Sequence, residues 1–438
     1  LNDISTAAPS TGSSFNEKLS MWVIIILGLL TAIGPLATDM YLPAFPQINK
    51  DLAGYGNGAA QMTLTVWFIG LALGQFSIGP ISDRFGRRYP LLIGIITFTI
   101  GSIGCAISSD FYLFCFFRLL SSFGGSAGMV IPRAMVRDIS SGSAGIKIMA
   151  QLALVSCIVP IVAPTLGGLI VAQFPWRILF WIMGVYGVIG SFIVFFALPD
   201  TLLPRYRIYS TISSILWRYV RIVREPIFIS NTLITGFGLF MIFAYLSGTP
   251  EVLSKSMGFS KLGLAAWFGI NSFVIAGCNQ INGLLVHKIK PYTMLNIAAT
   301  VAFITSITFI IICVSPIPLN NLGIFLHCAP IVIIMGCLGF VFPNCTIFAF
   351  ILHGRRVGSA SALLGTIQFV LGAISSWMMG QMALNSMLPV AIGVFVGVFG
   401  MFACNVWRQR ITTTIITKMK SGIQQGQHNY YHFLKDLD

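Results

Sequence analysis

Twelve acidic residues occur in the 438-residue chain, and eleven of them fall in tails, loops or the ends of apolar segments. Asp39 alone is embedded, within IGPLATDMYLP (33–43). A carboxylate inside a membrane span costs on the order of 3 kcal/mol and by default marks a proton or substrate path. Pro43 clashes with the carbonyl four residues before it, that of Asp39, so the helix is predicted to open where the carboxylate sits. Arg118 is the one Lys or Arg inside an apolar span. Counted at about 1.5 Å per residue, Asp39 and Arg118 lie about 6 Å and about 9 Å from the same membrane face, so the two are predicted to pair. A carboxylate whose cation leaves and returns alternates between releasing and holding a proton. Asp39 is therefore the expected carrier of a coupling proton, in contact with substrate, and Arg118 its switchable counter-ion. The alternative is a permanent salt bridge between two helices.

The elements that must position these groups follow from composition. The chain is 56% hydrophobic and 9% charged, with a mean hydropathy of +0.87. A soluble domain carries about 25% charged residues, so most of this surface must face lipid, and an ordinary soluble enzyme is excluded. Apolar runs bounded by charge or by Pro, Asn and Gly breaks predict twelve spans, near 21–43, 61–80, 89–107, 112–133, 147–172, 178–198, 227–248, 262–286, 293–314, 322–348, 358–382 and 389–407. The expected architecture is an all-α integral membrane protein of two six-helix halves, 21–198 and 227–407. A tail (1–20), a linker (199–226) and a second tail (408–438) complete it. Short echoes support a repeat, GMVIP (128–132) against GFVFP (339–343).

With the N-terminus inside, 21 Lys and Arg fall on that side and 4 on the other, which places both termini in the cytoplasm. The net charge of +14 is thus a topology signal, since no basic stretch has the polar, foldable sequence that nucleic-acid binding requires. The nine cysteines lie in apolar stretches without metal-ligand spacing, and no Walker-type loop is present. No nucleophile shares a depth with a base, so an enzyme is not expected. The expected partners are a small hydrophobic substrate, protons and the bilayer, acting on a monomer, with a proton gradient in place of a cofactor. Tyr41, Trp67, Tyr245, Trp267, Asn271, Gln368 and Phe369 are candidates to line a cavity suited to apolar or aromatic molecules.

The segment GPISDRFGRR (79–88) resembles the G-x-x-x-D-R-x-G-R-[RK] signature of the major facilitator superfamily. Gly79 and Gly86 suit a tight turn. The resemblance implies that Asp83, Arg84, Arg87 and Arg88 hold the inner face closed, with Asp83 facing the start of the eleventh span and Arg87 or Arg88 paired with Asp138. TDMYLPAFP (38–46), RLLSSFGGSAGMVIPRAMVRD (118–138), APTLGG (163–168), GFVFPN (339–344) and GSASALLGTIQFVLGA (358–373) resemble the bicyclomycin/chloramphenicol-resistance (Bcr/CflA) group of drug:proton antiporters. The fifth span is similar to the antiporter motif G-x-x-x-G-P-x-x-G-G but departs from it, with Pro160 and Ala163 where glycines often stand; Pro160 and Pro164 still bend the helix, and Gly167 and Gly168 still permit close packing. This likeness implies antiport of small hydrophobic compounds across a bacterial inner membrane by alternating access. Export of a siderophore or metabolite is one alternative; a membrane-embedded lipid-modifying enzyme is the other.

Overall fold

The structure is a computed structural model that describes residues 22–23, 25–52, 58–139, 142–202, 204–207, 211–286, 288–318, 320–350, 357–382 and 385–420. Its long elements are α1 (Ile25–Asp51), α2 (Ala59–Phe85), α3 (Arg88–Ile107), α4 (Phe111–Ile139), α5 (Gly142–Gln173) and α6 (Arg177–Ala197). A short α7 (Ile212–Val223) precedes α8 (Pro226–Lys255), α9 (Lys261–Leu285), α10 (Pro291–Val314), α11 (Asn321–Phe350), α12 (Val357–Gln381) and α13 (Leu388–Lys420). Among the described residues eleven helices are long and apolar enough to cross a membrane, and α5 adds the shorter apolar stretch Ile158–Gln173. Large apolar side chains such as Ile93, Phe196 and Leu284 stand exposed on the outside, as lipid solvation allows.

The packing repeats. Helix α2 packs on α4, α3 on α4 and α3 on α6; further along the chain α9 packs on α11, α10 on α11 and α10 on α13. The two most extensive pairings between the groups, α2 with α12 and α5 with α9, are images of each other under the same shift. Small residues set the closest approaches within a group. A methyl group added at Gly94 would lie 2.4 Å from the Ala127 side chain, so α3 and α4 meet with almost nothing between them.

Several boundaries differ from the sequence expectation. Helix α1 runs on to Asp51, because the residues after Pro43 resume a helix with Pro46 in its first turn. Asp39 therefore sits near the middle of its span rather than near its end. Helix α13 continues through the expected tail to Lys420, and the expected linker contains α7. Helix α2 does not turn at Gly79; it continues to Phe85, and the connection to α3 is Gly86 and Arg87 alone.

Candidate functional site

Helix α1 is broken where proline chemistry predicts. The α-helical run Ile33–Asp39 stops, a 3₁₀ turn spans Leu42–Ala44, and the helix resumes at Phe45. Helix α5 seats against this break. A Cβ at Gly167 would lie 2.0 Å from the Met40 carbonyl oxygen, so only glycine admits the contact. Gly168 beside it is buried.

The break opens on a cavity of about 380 Å³, within the range that holds small ligands. Asp39 lines it, half-buried, with Pro160 and Pro164 of α5, Phe68 and Leu71 of α2, and Phe243, Tyr245 and Leu246 of α8. Asn271 and Asn279 of α9 and Phe369 of α12 complete the wall. Phe369 stacks on Phe68 with centroids 6.1 Å apart. No hydrogen bond or ion pair to the Asp39 carboxyl is found among the described residues. The Tyr245 hydroxyl and the Asn271 Oδ1 are buried without partners there too, although Asn271 Nδ2 donates to the Trp267 carbonyl at 2.8 Å. A mostly apolar chamber with one carboxyl and a few hydroxyl and amide groups can bind an apolar molecule and orient its few polar groups.

Arg118 occupies a different place. It is fully buried, with Nη2 donating to the Ala37 carbonyl at 3.0 Å and its guanidinium 4.1 Å from the Trp67 ring centroid, 4.6 Å from Tyr41 and 5.2 Å from Phe180. The predicted Asp39–Arg118 pair is not formed in this structure. Depth was matched without azimuth: two residues along a helix rotate by about 200°, so Ala37 and Tyr41 face Arg118 while Asp39 faces the cavity. The aromatic faces take the role expected of a carboxylate.

Four of the seven candidate lining residues lie outside the cavity wall. Tyr41 is buried against Arg118 with its hydroxyl bonded to Thr63, and Trp67 donates from Nε1 to Thr38 at 2.9 Å. Trp267 is buried behind Asn271, and Gln368 is half-buried off the wall, whereas Tyr245, Asn271 and Phe369 line it as expected.

At the end of the bundle that carries Gly86, here the motif end, the signature residues form an ion network. Arg87 is buried, with Nη1 2.6 Å from Asp83 and Nε 2.9 Å from Asp138. Burial alone would pull its pKa down, but the bonds to Asp138 and Asp83 outweigh it and the net shift is upward. Arg88 instead donates to the Phe195 carbonyl, and Arg84 lies over the Phe85 ring. Gly86 has φ +92°, and a Cβ there would lie 2.1 Å from Asp200 Oδ2. Asp200 accepts from the Arg87 backbone at 2.8 Å and pairs with Arg207 at 2.9 Å. Neither of these two residues was singled out from sequence; the signal available was an acid closing the sixth span, seven residues before an arginine. Gly79 has open space around it, so it serves no turn. Asp83 and the start of α12 (Gly358, Ser359) both line a vestibule of about 440 Å³, as do Arg133 and Met129. Met129 borders the central cavity as well.

At the opposite, far end the two groups touch. Gln61 Nε2 donates to the Ser247 carbonyl at 3.0 Å, Ser376 donates to the Gln61 carbonyl at 2.9 Å, and Asn49 Nδ2 donates to Glu251 at 3.2 Å. A Cβ at Gly58 would lie 2.3 Å from the Gly380 carbonyl oxygen.

Comparison with known proteins agrees with this geometry. Over 379 residues the chain is 34% identical to the uncharacterized MFS-type transporter YdgK of Bacillus subtilis (strain 168), covering 86% of this chain and 92% of that one. It is 27% identical to a bicyclomycin resistance protein homolog of Haemophilus influenzae, covering 89% and 95%. Among solved structures it matches a bacterial homolog of the human lysosomal transporter Spinster, in an inward-facing and occupied conformation, with a TM-score of 0.66 at 15% identity over 91% of this chain and 96% of that one. The family model of the Major Facilitator Superfamily matches residues 27–376, and the chain belongs to that superfamily.

Proposed function

We propose that the protein is a drug:proton antiporter that exports small hydrophobic compounds, chloramphenicol-like and bicyclomycin-like molecules among them, by alternating access of two six-helix halves. In this reading twelve spans cross a bacterial inner membrane, and the termini and the motif end face the cytoplasm. The family is one of transporters, which removes the lipid-modifying enzyme from consideration. The observation that carries the proposal is Asp39: a carboxyl with no protein partner among the described residues, at a helix break in mid-span, opening on an apolar cavity. Relatives named for bicyclomycin and multidrug resistance support the substrate class.

The chemistry runs through this chain's residues. A proton on Asp39 makes the wall neutral, and its loss leaves a charge that must be solvated or masked, so proton and substrate compete for one chamber. Tyr245 and Asn271 supply a donor and an acceptor to a substrate's polar groups. Arg118 holds the broken α1 by the Ala37 carbonyl and so fixes where Asp39 points. The closed far end and the vestibule at the motif end fit a state that loads from inside. The membrane potential supplies about 2.3 kcal/mol per charge per 100 mV, enough for a substantial outward gradient.

Liposomes holding the purified chain and a pH-sensitive dye test the reading. Under an imposed proton gradient, added compound should release protons in the parent and not in Asp39→Asn. Coupling that survives in Asp39→Asn would overturn the proton assignment. A silent parent would overturn the substrate class and turn the search to siderophores or metabolites.

A further inference from the structure

The connection between the two groups of helices holds a second kind of surface. Thr211 caps α7 by accepting from the Ser214 amide. At about 100° per residue, Ile215, Tyr219 and Ile222 fall on one side of this helix, and Leu216, Trp217 and Val220 fall on the other. The first side is seated. Tyr219 and Ile222 are buried in a cluster with Phe228, Ala349, Ala360 and Leu363, against which Phe76 packs. The Tyr219 hydroxyl donates to the Phe76 carbonyl at 3.1 Å, and burial pushes its pKa up to about 12, so it keeps that proton at any physiological pH. This seat joins α2 of the first group to α8, α11 and α12 of the second.

The second side has no protein over it among the described residues. Trp217 is 67% exposed, Leu216 45% and Val220 40%, and the exposed Arg221 and Arg224 flank them. A solvated linker face does not need three large apolar side chains on one arc. Position decides what meets them. Phe76 lies nine residues, about 14 Å, short of the end of α2, so α7 lies beside the helix ends rather than beyond them. Pro226 begins a membrane span three residues after α7 ends, which pins α7 at that level. An apolar face bearing Trp, flanked by Arg, at the level where spans end matches the headgroup boundary of a bilayer, and its charge matches anionic lipid.

We propose that this face of α7 docks on an anionic membrane surface, with Leu216, Trp217 and Val220 in the headgroup–acyl boundary and Arg221 and Arg224 on lipid phosphates. The seated face spans both groups of helices beside the vestibule, so anionic lipid holds α7 as a strap across the motif end. This surface depends on the fold and not on proton coupling.

The test uses the full chain in nanodiscs of phosphatidylcholine, with or without phosphatidylglycerol, carrying brominated acyl chains. The emission difference between the parent and Trp217→Phe isolates Trp217. Its quenching should be present and should increase with phosphatidylglycerol, and in the doubly substituted Arg221→Gln, Arg224→Gln chain the increase should vanish. Amide exchange over 212–223 should slow with phosphatidylglycerol in the parent and not in that double variant, a readout that does not need Trp217. Quenching of Trp217 by aqueous iodide but not by brominated lipid would show a solvated face and overturn the proposal. Protection from both quenchers would show a second copy or another segment on the face and would overturn it equally.

Discussion

The two ends of the bundle are held by different chemistry. At the motif end the strong contacts are ionic and lie on one side of the vestibule, where Arg87 bridges Asp83 and Asp138 and Arg207 pairs with Asp200. At the far end the ion pairs Arg177–Asp51 and Lys255–Glu251 likewise lie within one group each, whereas the contacts that join the two groups are neutral hydrogen bonds and one close backbone approach, supplemented by Asn49 on Glu251. Buried ion pairs are costly to break, whereas a neutral hydrogen bond contributes about 1 kcal/mol net. Strong chemistry therefore keeps one group rigid, and weak chemistry sits where the groups must part and meet again.

The largest effect should come from Arg87→Ala. It leaves Asp138, only 18% exposed, and the more open Asp83 without their cation, so unfolding should become easier by about 3 kcal/mol, with solvent screening reducing the Asp83 share. Thermal unfolding in detergent reads this, and an unmoved midpoint would remove the structural role of the network. Gly58→Ala comes next. The residue has φ +84°, which costs an L-residue about 1–2 kcal/mol, and its new Cβ meets the Gly380 carbonyl. Amide exchange at 58–62 and 376–380 should accelerate about tenfold or more, with the motif end unchanged. Ser376→Ala is the mildest. It removes the bonds to the Gln61 carbonyl and the Ser247 hydroxyl, and exchange at the same amides should rise about fivefold. If Ser376→Ala loosened the motif end as much as the far end, the two ends would not be separable and the contrast would fail.

How much of this was written in the residues varies by position. Asp39 was legible because a lone carboxylate in an apolar run is costly to keep there, and Pro43 announced the break beside it. Arg87 was legible through the spacing of its motif, and its pairing with Asp138 only through the family resemblance that the motif carries. Arg118 was found but given the wrong partner, because rise along a helix is countable while azimuth depends on which neighbours pack where. Tyr41 and Trp67 show the same limit: an aromatic at the right depth can face a guanidinium as readily as a cavity. Pro43 also suggested an end to the first span, since proline ends and mid-helix prolines look alike until the following residues are seen to repack. The far-end bonds were illegible for another reason. Gln61, Ser247 and Ser376 are ordinary polar residues, and only tertiary pairing between distant segments gives them a shared role.

Among the described residues, Met129 is the one side chain that borders both the vestibule and the central cavity, and Gly34 makes room for its sulfur. A thioether with three freely rotating bonds changes rotamer on the picosecond-to-nanosecond scale when space allows, whereas whole groups of helices rock in microseconds to milliseconds. Rearrangement of this one side chain is therefore fast against the rocking of the helices, and the turnover rate is left to the slower motion.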